Sequence, residues 1–464
     1  MSSATERPTP DKEFATSIVQ RLTGAGFRAL FAGGCVRDML LNRQPKDFDV
    51  ATSAPPDQVI ALFPRHVAVG VAFGVIVVLG EGDNPLQVEV TTFRGETTYS
   101  DGRHPDQVAF TDEVEDVRRR DFTINGLLYD PLKHEVLDYV DGRRDLERKV
   151  IRAIGDPKRR FQEDHLRMLR AIRFASQLGF EIDGLTFGAI KDNAQRITLI
   201  SAERIRDELN LMLTGPAPRR AIELLKKSRL LRHILPEVDV MEGVPQPKEF
   251  HPEGDVWVHT LMLLDQLQES SLTLALAALL HDIGKPPTIE HADRIRFNEH
   301  ERVGACMTED IMRRMKYSNE EIEQVVELVR QHMIFKDAHR MRPAKLKRFL
   351  RQPHFNEHLA LHKLDCLASH GDLTAHDFCV EELGKQSTET LRPVPFVNGR
   401  DLIALGLTPG PKFKEILSEV EDRQLEGSVT DRESALQYVR ELVFRGAPEA
   451  QPSAAKTEDK KTGA

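Results

Sequence analysis

Two stretches decide how this chain reads: Phe31-Ala-Gly-Gly-Cys-Val-Arg-Asp38 and, a short turn later, Asp47-Phe-Asp-Val-Ala-Thr-Ser-Ala54. In the first, an apolar run ends at Gly33-Gly34 and a helical segment over 35–41 begins there, which places both glycines at a strand-to-helix corner. With no Cβ at the corner, backbone N–H groups and the positive helix end can approach a phosphate closely. Taken alone the corner is an ordinary turn. The second stretch adds chemistry, because residues two apart on a strand share a face: Asp47 and Asp49 project together while Phe48 and Val50 enter the core. Two adjacent carboxylates repel unless a cation neutralises them.

Working outward, β-type runs rich in Val, Ile, Phe and Thr recur at 27–32, 47–52, 74–79 and 86–93. From about Asp145 onward helical spacing replaces them, as in Leu166, Leu169 and Ile172 and in Ile222, Leu225 and Leu230. The expected class is α+β: an N-terminal head with a mixed β-sheet and helices, followed by all-α neck, body and tail regions. Proline and glycine breaks at 241–248 and 391–400 suggest joints. The expected division is 14–145 for the head and 146–240 for a helical neck and body. A His-rich helical domain over 249–375, a helical tail over 376–445 and a disordered 446–464 follow.

The 464 residues predict several domains, and 40% hydrophobic with 30% charged residues excludes collagenous or disordered chains. No apolar run reaches the ~18–20 residues of a membrane span and the first residues lack a signal-peptide core, so no membrane partner and a cytoplasmic location are expected. Four cysteines without a CxxC pair argue against a disulfide framework or zinc knuckle. A net charge of −9 argues against wholesale nucleic-acid binding, so any such surface is local. The interval 201–235 supplies one, with eight Lys/Arg against four acids, and it reads equally as a solvated helix face.

Glu89, in Gln87-Val-Glu-Val-Thr-Thr-Phe93, offers a third carboxylate. Three oxygen ligands with open positions suit Mg²⁺, which keeps waters and takes its remaining ligands from substrate phosphates. The chemistry this serves is phosphoryl or nucleotidyl transfer, in which one ion activates a hydroxyl and a second clamps the leaving pyrophosphate. The alternative is an exposed acidic edge.

Gly33-Gly-Cys-Val-Arg-Asp38, Asp47-Phe-Asp49, Glu89-Val-Thr-Thr-Phe-Arg94, Arg119-Arg-Asp-Phe-Thr-Ile-Asn125, Glu163-Asp-His-Leu-Arg-Met-Leu-Arg-Ala-Ile-Arg-Phe174 and Ser201-Ala-Glu-Arg-Ile-Arg206 resemble, in order, the motifs of the bacterial tRNA nucleotidyltransferase (CCA-adding) and poly(A) polymerase family. The resemblance implies a nucleotidyltransferase head and template-independent addition of CMP and AMP, from CTP and ATP, to a tRNA 3′ end. It implies Asp47 and Asp49 as Mg²⁺ ligands, with Glu89 as a third catalytic carboxylate. Gly33, Gly34 and Arg37 would lie along the triphosphate, and Arg120, Asp121 and Asn125 would orient the sugar and phosphates. On one helix, Glu163, Asp164, Arg167, Arg170 and Arg173 would bind the nucleotide, although steps of three carry Arg173 off the face of Asp164 and Arg167, and the Glu-Asp-x-x-Arg unit would read the base in place of a template. The segment 95–112 falls where the family has a flexible loop that helps the switch from C to A addition, and the run 66–76 favours the CCA-adding form over poly(A) polymerases.

A second constellation lies further on: His259, His281-Asp282, His300, His332 and Asp365. It resembles the HD phosphohydrolase pattern, in which imidazoles and carboxylates hold divalent transition metals that activate water for attack on phosphorus. By this resemblance the appended domain would trim phosphates from tRNA ends or hydrolyse other phosphoesters. Two alternatives stay open: a poly(A) polymerase or A-adding enzyme, and an HD phosphohydrolase that uses its N-terminal half as an RNA-binding platform. Oligomeric state is not legible.

Overall fold

The computed structural model describes residues 9–70, 74–83, 85–95, 110–249, 251–291, 293–385 and 391–444, which form two compact units. One comprises the residues up to Gln331 together with 367–371, and the other comprises 332–366 and the residues from Asp372 onward. The segment 96–109, with most of the expected C-to-A loop, and the tail 446–464 lie outside the described residues, as do 71–73 of the run 66–76.

The first unit opens on a seven-stranded mixed sheet: β1 (Ala29–Ala32), β2 (Asp49–Thr52), β3 (His66–Gly70), β4 (Val75–Leu79), β5 (Gln87–Thr92), β6 (Leu128–Asp130) and β7 (Glu135–Leu137). The order across the sheet is β3-β4-β5-β2-β1-β6-β7. Only β2 and β5 run parallel. All four residues of β1 are buried, as expected of a central strand. Helix Pro10–Gly24 buries Ala15, Ile18, Val19 and Leu22, a three-four spacing that gives it one apolar face. Leu30, Ala32, Ala51, Phe93, Val117 and Leu128 form the core beside the sheet. The α+β reading holds, with strands beginning a residue or two later than the sequence suggested.

After the head the unit is mainly helical, through Pro157–Glu163, Arg167–Leu178, Gly184–Asn193, Ala202–Leu213 and Pro218–Lys227 to Val256–Asp265, Leu272–Leu280, His300–Arg314 and Asn319–Gln331. The all-α expectation is corrected by two short strand pairs, Val150–Ile151 with Glu181–Ile182 and Ile289–His291 with Ile295–Phe297. The second unit is also helical. Its cores gather Phe335, Phe349, Phe355 and Cys379 in one cluster and Val397, Leu402, Val420 and Val439 in another. All four cysteines are free thiols, and only Cys306 is exposed. No described helix is long and apolar enough to cross a membrane.

Candidate active site

A cleft of about 650 Å³ lies in the first unit, with Gly33, Gly34, Asp49 and Glu89 on its walls. Parallel pairing sets Asp49 directly opposite Glu89 in the register of β2 and β5. Burial first, then the negative charges of Glu89 and Asp47, push the Asp49 carboxyl up to about 7, with Arg120 opposing the rise. This carboxylate set is short of positive charge. The expectation that both aspartates share a strand is corrected: β2 begins at Asp49, and Asp47 is an exposed residue of the turn before it. Alternation nevertheless persists, since Phe48 and Val50 are both buried. Among the described residues the cleft wall includes neither Asp47 nor Glu163.

Gly33 adopts φ +76°, a conformation glycine tolerates, and a Cβ there would stand 3.2 Å from Arg120 Nη1. Small size at this corner therefore lets an arginine approach the backbone. Arg37 donates from Nη1 to Asn125 Oδ1 at 2.9 Å, and Asn125 Nδ2 donates to Asp121 Oδ1 at 3.1 Å. Arg170 Nε completes the chain on Asp121 Oδ2 at 2.8 Å. Burial would raise the Asp121 carboxyl, but the Arg170 charge and the Asn125 amide hold it below the usual range. Phe174 forms a platform with the guanidinium carbons of Arg37, Arg170 and Arg173 at 5.2, 5.4 and 4.3 Å from its ring centroid.

Asp116, 1% exposed, organises the other wall. Its Oδ1 accepts from Arg119 Nη2 at 2.6 Å and its Oδ2 from Arg120 Nη2 at 2.9 Å. Against the upward push of burial, Arg120 and Arg119 keep this carboxyl below the ordinary value. One buried acid thus holds two cleft arginines at spacings of three and four along the chain, the contact distance of a helix turn. Sequence reasoning passed over Asp116, quoted Arg119 and Phe174 only inside motifs without roles, and read Arg204 as part of the basic interval 201–235 rather than of the cleft.

The expectation of one helix carrying 163–173 is also corrected. Helix Pro157–Glu163 ends there, Asp164 is extended at φ −147° and ψ 107°, and a new helix starts at Arg167. Asp164 Oδ1 accepts from the Leu166 N–H at 3.0 Å, an N-cap type of contact that stops one helix and helps start the next. The break separates the roles of the two acids. Glu163 turns inward and pairs with Arg160 and Arg167 at 2.8 and 2.9 Å. Asp164 lines the cleft and accepts from Arg204 Nη2 at 3.1 Å. Arg167 also lines it and is fixed from behind, donating to the carbonyls of Arg160 and Arg119. Arg173, on the same wall, pairs with Glu208 at 2.6 Å.

The basic interval 201–235 is largely neutralised: Arg204, Arg206, Arg219, Arg220, Lys226 and Lys227 each stand within ion-pair distance of a carboxylate.

The first unit brings His259, His281, Asp282 and His300 together, all buried. Asp255 accepts from the Val258 N–H and starts the helix bearing His259, while His281 caps the apolar helix Leu272–Leu280. Gly284 lets the helix of His300 close on that turn, since a Cβ there would collide with the His300 carbonyl oxygen and lie 2.7 Å from Gly304 N. His259 Nε2 and His281 Nε2 stand 3.3 Å apart. The Asp282 oxygens lie 3.2 Å from His281 Nε2 and 3.5 Å from His300 Nε2. Lys285, which the sequence reading gave no role, meets Asp282 Oδ2 at 2.7 Å and Gln246 Oε1 at 2.6 Å. His332 and Asp365 belong to the second unit, where His332 opens the 3₁₀ segment His332–Arg340 and Asp365 rides on the helix Phe355–Ala368.

Comparison with known proteins agrees with this geometry. The Poly A polymerase head domain matches residues 29–152. A region described as "Probable RNA and SrmB- binding site of polymerase A" matches 179–241, and the HD domain matches 255–365. The CCA-adding enzyme of Lactobacillus johnsonii is 34% identical over 433 residues, which span 91% of this chain and 95% of that enzyme. That of Lactobacillus helveticus is 42% identical over 256 residues, 54% of this chain and 63% of the relative. The crystal structure of the Bacillus stearothermophilus CCA-adding enzyme in complex with CTP superposes with a TM-score of 0.73 at 27% identity, covering 94% of this chain and 98% of that one. With similarity running nearly end to end and a head, an RNA-binding segment and an HD domain in this order, the chain belongs to the CCA-adding enzyme family.

Proposed function

We propose that this nucleotidyltransferase adds CMP and AMP, drawn from CTP and ATP, to the 3′ end of tRNA, with the protein itself selecting the base. The observation that carries this reading is the convergence in one cleft of a cation-short carboxylate pair, Asp49 and Glu89, with arginines whose positions are fixed from behind. It agrees with the CTP held by the Bacillus stearothermophilus relative. Transfer is assigned to 14–145, and base selection and RNA binding to 146–240. A tRNA substrate places the enzyme in the cytoplasm.

Asp49 and Asp47, with Glu89 beside them, supply hard oxygen donors that fit Mg²⁺. The upward-shifted Asp49 carboxyl is the supporting observation, since it marks a site that gains from a cation. Bound there, Mg²⁺ supplies a lowered pKa for the attacking 3′-hydroxyl and neutralises charge on the leaving pyrophosphate. Arg37 and Arg120 present guanidinium donors to the triphosphate, and the absence of side chains at Gly33 and Gly34 lets it pass close to the backbone. Asp121 and Asn125, locked between Arg37 and Arg170, hold the loop that faces the sugar. Asp164 offers acceptors and Arg167 donors to the base edge. Cytosine and adenine both show an exocyclic amine beside a ring acceptor, whereas uracil and guanine reverse that pattern and leave partners unpaired. Glu163 serves as the clamp that aims Arg167, while Arg170 and Arg173 frame Phe174 beneath the nucleotide.

A second activity, phosphohydrolysis of RNA ends with a divalent transition metal, is assigned to His259, His281, Asp282 and His300. The buried clustering of these four supports it.

The transfer reading is tested with Asp47→Ala and Asp49→Ala assayed on tRNA lacking CCA. Incorporation should vanish in both while circular dichroism stays native. Activity near that of the unmodified enzyme in both would sink the assignment.

A further inference from the structure

In His251-Pro-Glu-Gly-Asp-Val-Trp-Val-His259, only the last residue entered the histidine constellation, yet the structure also draws in the first and the third. The Glu253 side chain is 5% exposed, and its Oε1 lies 2.9 Å from Nδ1 of His259 and 2.9 Å from Nδ1 of His251. The two rings meet edge to face at 4.8 Å. An imidazole nitrogen facing a carboxylate carries the proton, and the opposite nitrogen becomes the imine donor. The 2.9 Å contact with Glu253 fits the Nδ1–H tautomer of His259, whose Nε2 is turned toward His281.

The other two rings of the cluster are set the same way by backbone. His281 Nδ1 lies 3.1 Å from the Ala278 carbonyl oxygen, and His300 Nδ1 lies 2.9 Å from that of Phe297. Three acceptors, one carboxylate and two backbone carbonyls, thus leave three imine Nε2 atoms beside the Asp282 carboxylate, at 3.8, 3.2 and 3.5 Å for His259, His281 and His300. Two imine nitrogens cannot hydrogen-bond to each other, yet those of His259 and His281 stand 3.3 Å apart. That separation is what two nitrogen ligands about 2.0–2.1 Å from one tetrahedral ion would show, roughly 3.3 Å.

We propose that Glu253 is the positioning residue of a divalent transition-metal site formed by His259, His281 and Asp282, holding His259 in its ligand tautomer while His251 steadies the carboxylate from the far side. The inference rests on the metal-site reading of the histidine cluster and adds the residue that orders it. Outer partners of this kind typically change metal affinity 10–100-fold when removed.

The test uses the full chain stripped with a chelator and titrated with Co²⁺, followed by visible absorption and by chelator competition, with Glu253→Ala, Glu253→Gln and His259→Ala beside the unmodified protein. His259→Ala should lose the Co²⁺ spectrum. Glu253→Ala should keep one ion per chain at 10–100-fold weaker affinity. Glu253→Gln, whose amide oxygen still accepts the Nδ1 proton, should recover part of the difference, and tRNA extension should be unaffected throughout. Unchanged affinity in both Glu253 variants would overturn the proposal, as would a loss that only tracks the folded fraction seen by circular dichroism. Failure of the unmodified protein to bind Co²⁺ would instead overturn the metal-site reading beneath it. Should Glu253→Ala not fold, Glu253→Gln decides by the same comparison.

Discussion

The cleft of the head and the histidine cluster both gather charge where water is scarce, and they balance it in opposite ways. In the head, Asp49 and Glu89 face each other across a parallel strand pair with too little cation beside them, while Arg119, Arg120, Arg167 and Arg170 are each tied to acids or carbonyls behind the wall. In the cluster, one aspartate is ringed by three imidazoles and a lysine. Oxygen donors beside guanidinium groups suit a hard ion and a polyphosphate, whereas nitrogen donors around one carboxylate suit a softer ion. The contrast gives the two regions separable preferences, a hard ion with a polyphosphate in one and a softer ion in the other.

The largest effect is expected at the carboxylates. Asp49→Ala should cut nucleotide addition by about 10³-fold or more, since a catalytic cation contributes several kcal/mol to the transition state. His281→Ala, measured on the same tRNA, should leave addition unchanged. Equal losses in the two variants would merge the sites into one. Next comes selection: Asp164→Ala should reduce discrimination against UTP and GTP by about 10²-fold, read from single-nucleotide kcat/KM values, because the wrong base no longer strands a polar partner. Asp116→Asn should follow, raising KM for CTP and ATP by about 10-fold and lowering stability by about 3 kcal/mol in denaturant melts, because two guanidinium groups lose their buried counter-charge. Asp116→Glu, if it reaches the same arginines, should restore KM.

The smallest effect is a pH dependence. With the Asp49 carboxyl near 7, a proton must leave before a cation binds, so addition at subsaturating Mg²⁺ should climb by up to about tenfold per pH unit below 7 and level off above it. Without the ion the folded state holds that extra proton, so this group's share of stability falls as pH rises from about 4 to about 7. Asp49→Asn should flatten the stability trend in thermal melts. A rate that already levels off at pH 5 would contradict the charge-short reading of the pair.

Much of this was legible in the sequence, and what escaped it has physical causes. Alternation around Phe48 and Val50 placed the aspartates, and β-branched runs found four strands of the sheet, because burial on one or both faces leaves a period in the residues. The break after Glu163 was hidden, since no proline or glycine marks the joint and the helical spacing of Leu166, Leu169 and Ile172 resumes directly beyond it. Its one signal was Asp164 itself, a residue type that caps helices. Asp116 escaped because buried acids leave no pattern of their own, although its spacing of three and four to Arg119 and Arg120 was there to be read. Glu253 escaped for a deeper reason: its partnership with His259 depends on a turn that pairs Pro245 with Asp255, and tertiary hydrogen bonds leave no periodicity.

A protein cleft that builds a defined tRNA end without a template is tested most directly by one measurement. Purified full-length enzyme with Mg²⁺, CTP and ATP would be given labelled tRNAs ending before CCA, after CC, and complete, with products read at single-nucleotide resolution. The account predicts three additions to the first, one to the second and none to the third, with UTP and GTP left unused. Long A-tails, or no incorporation on any of the three, would contradict it.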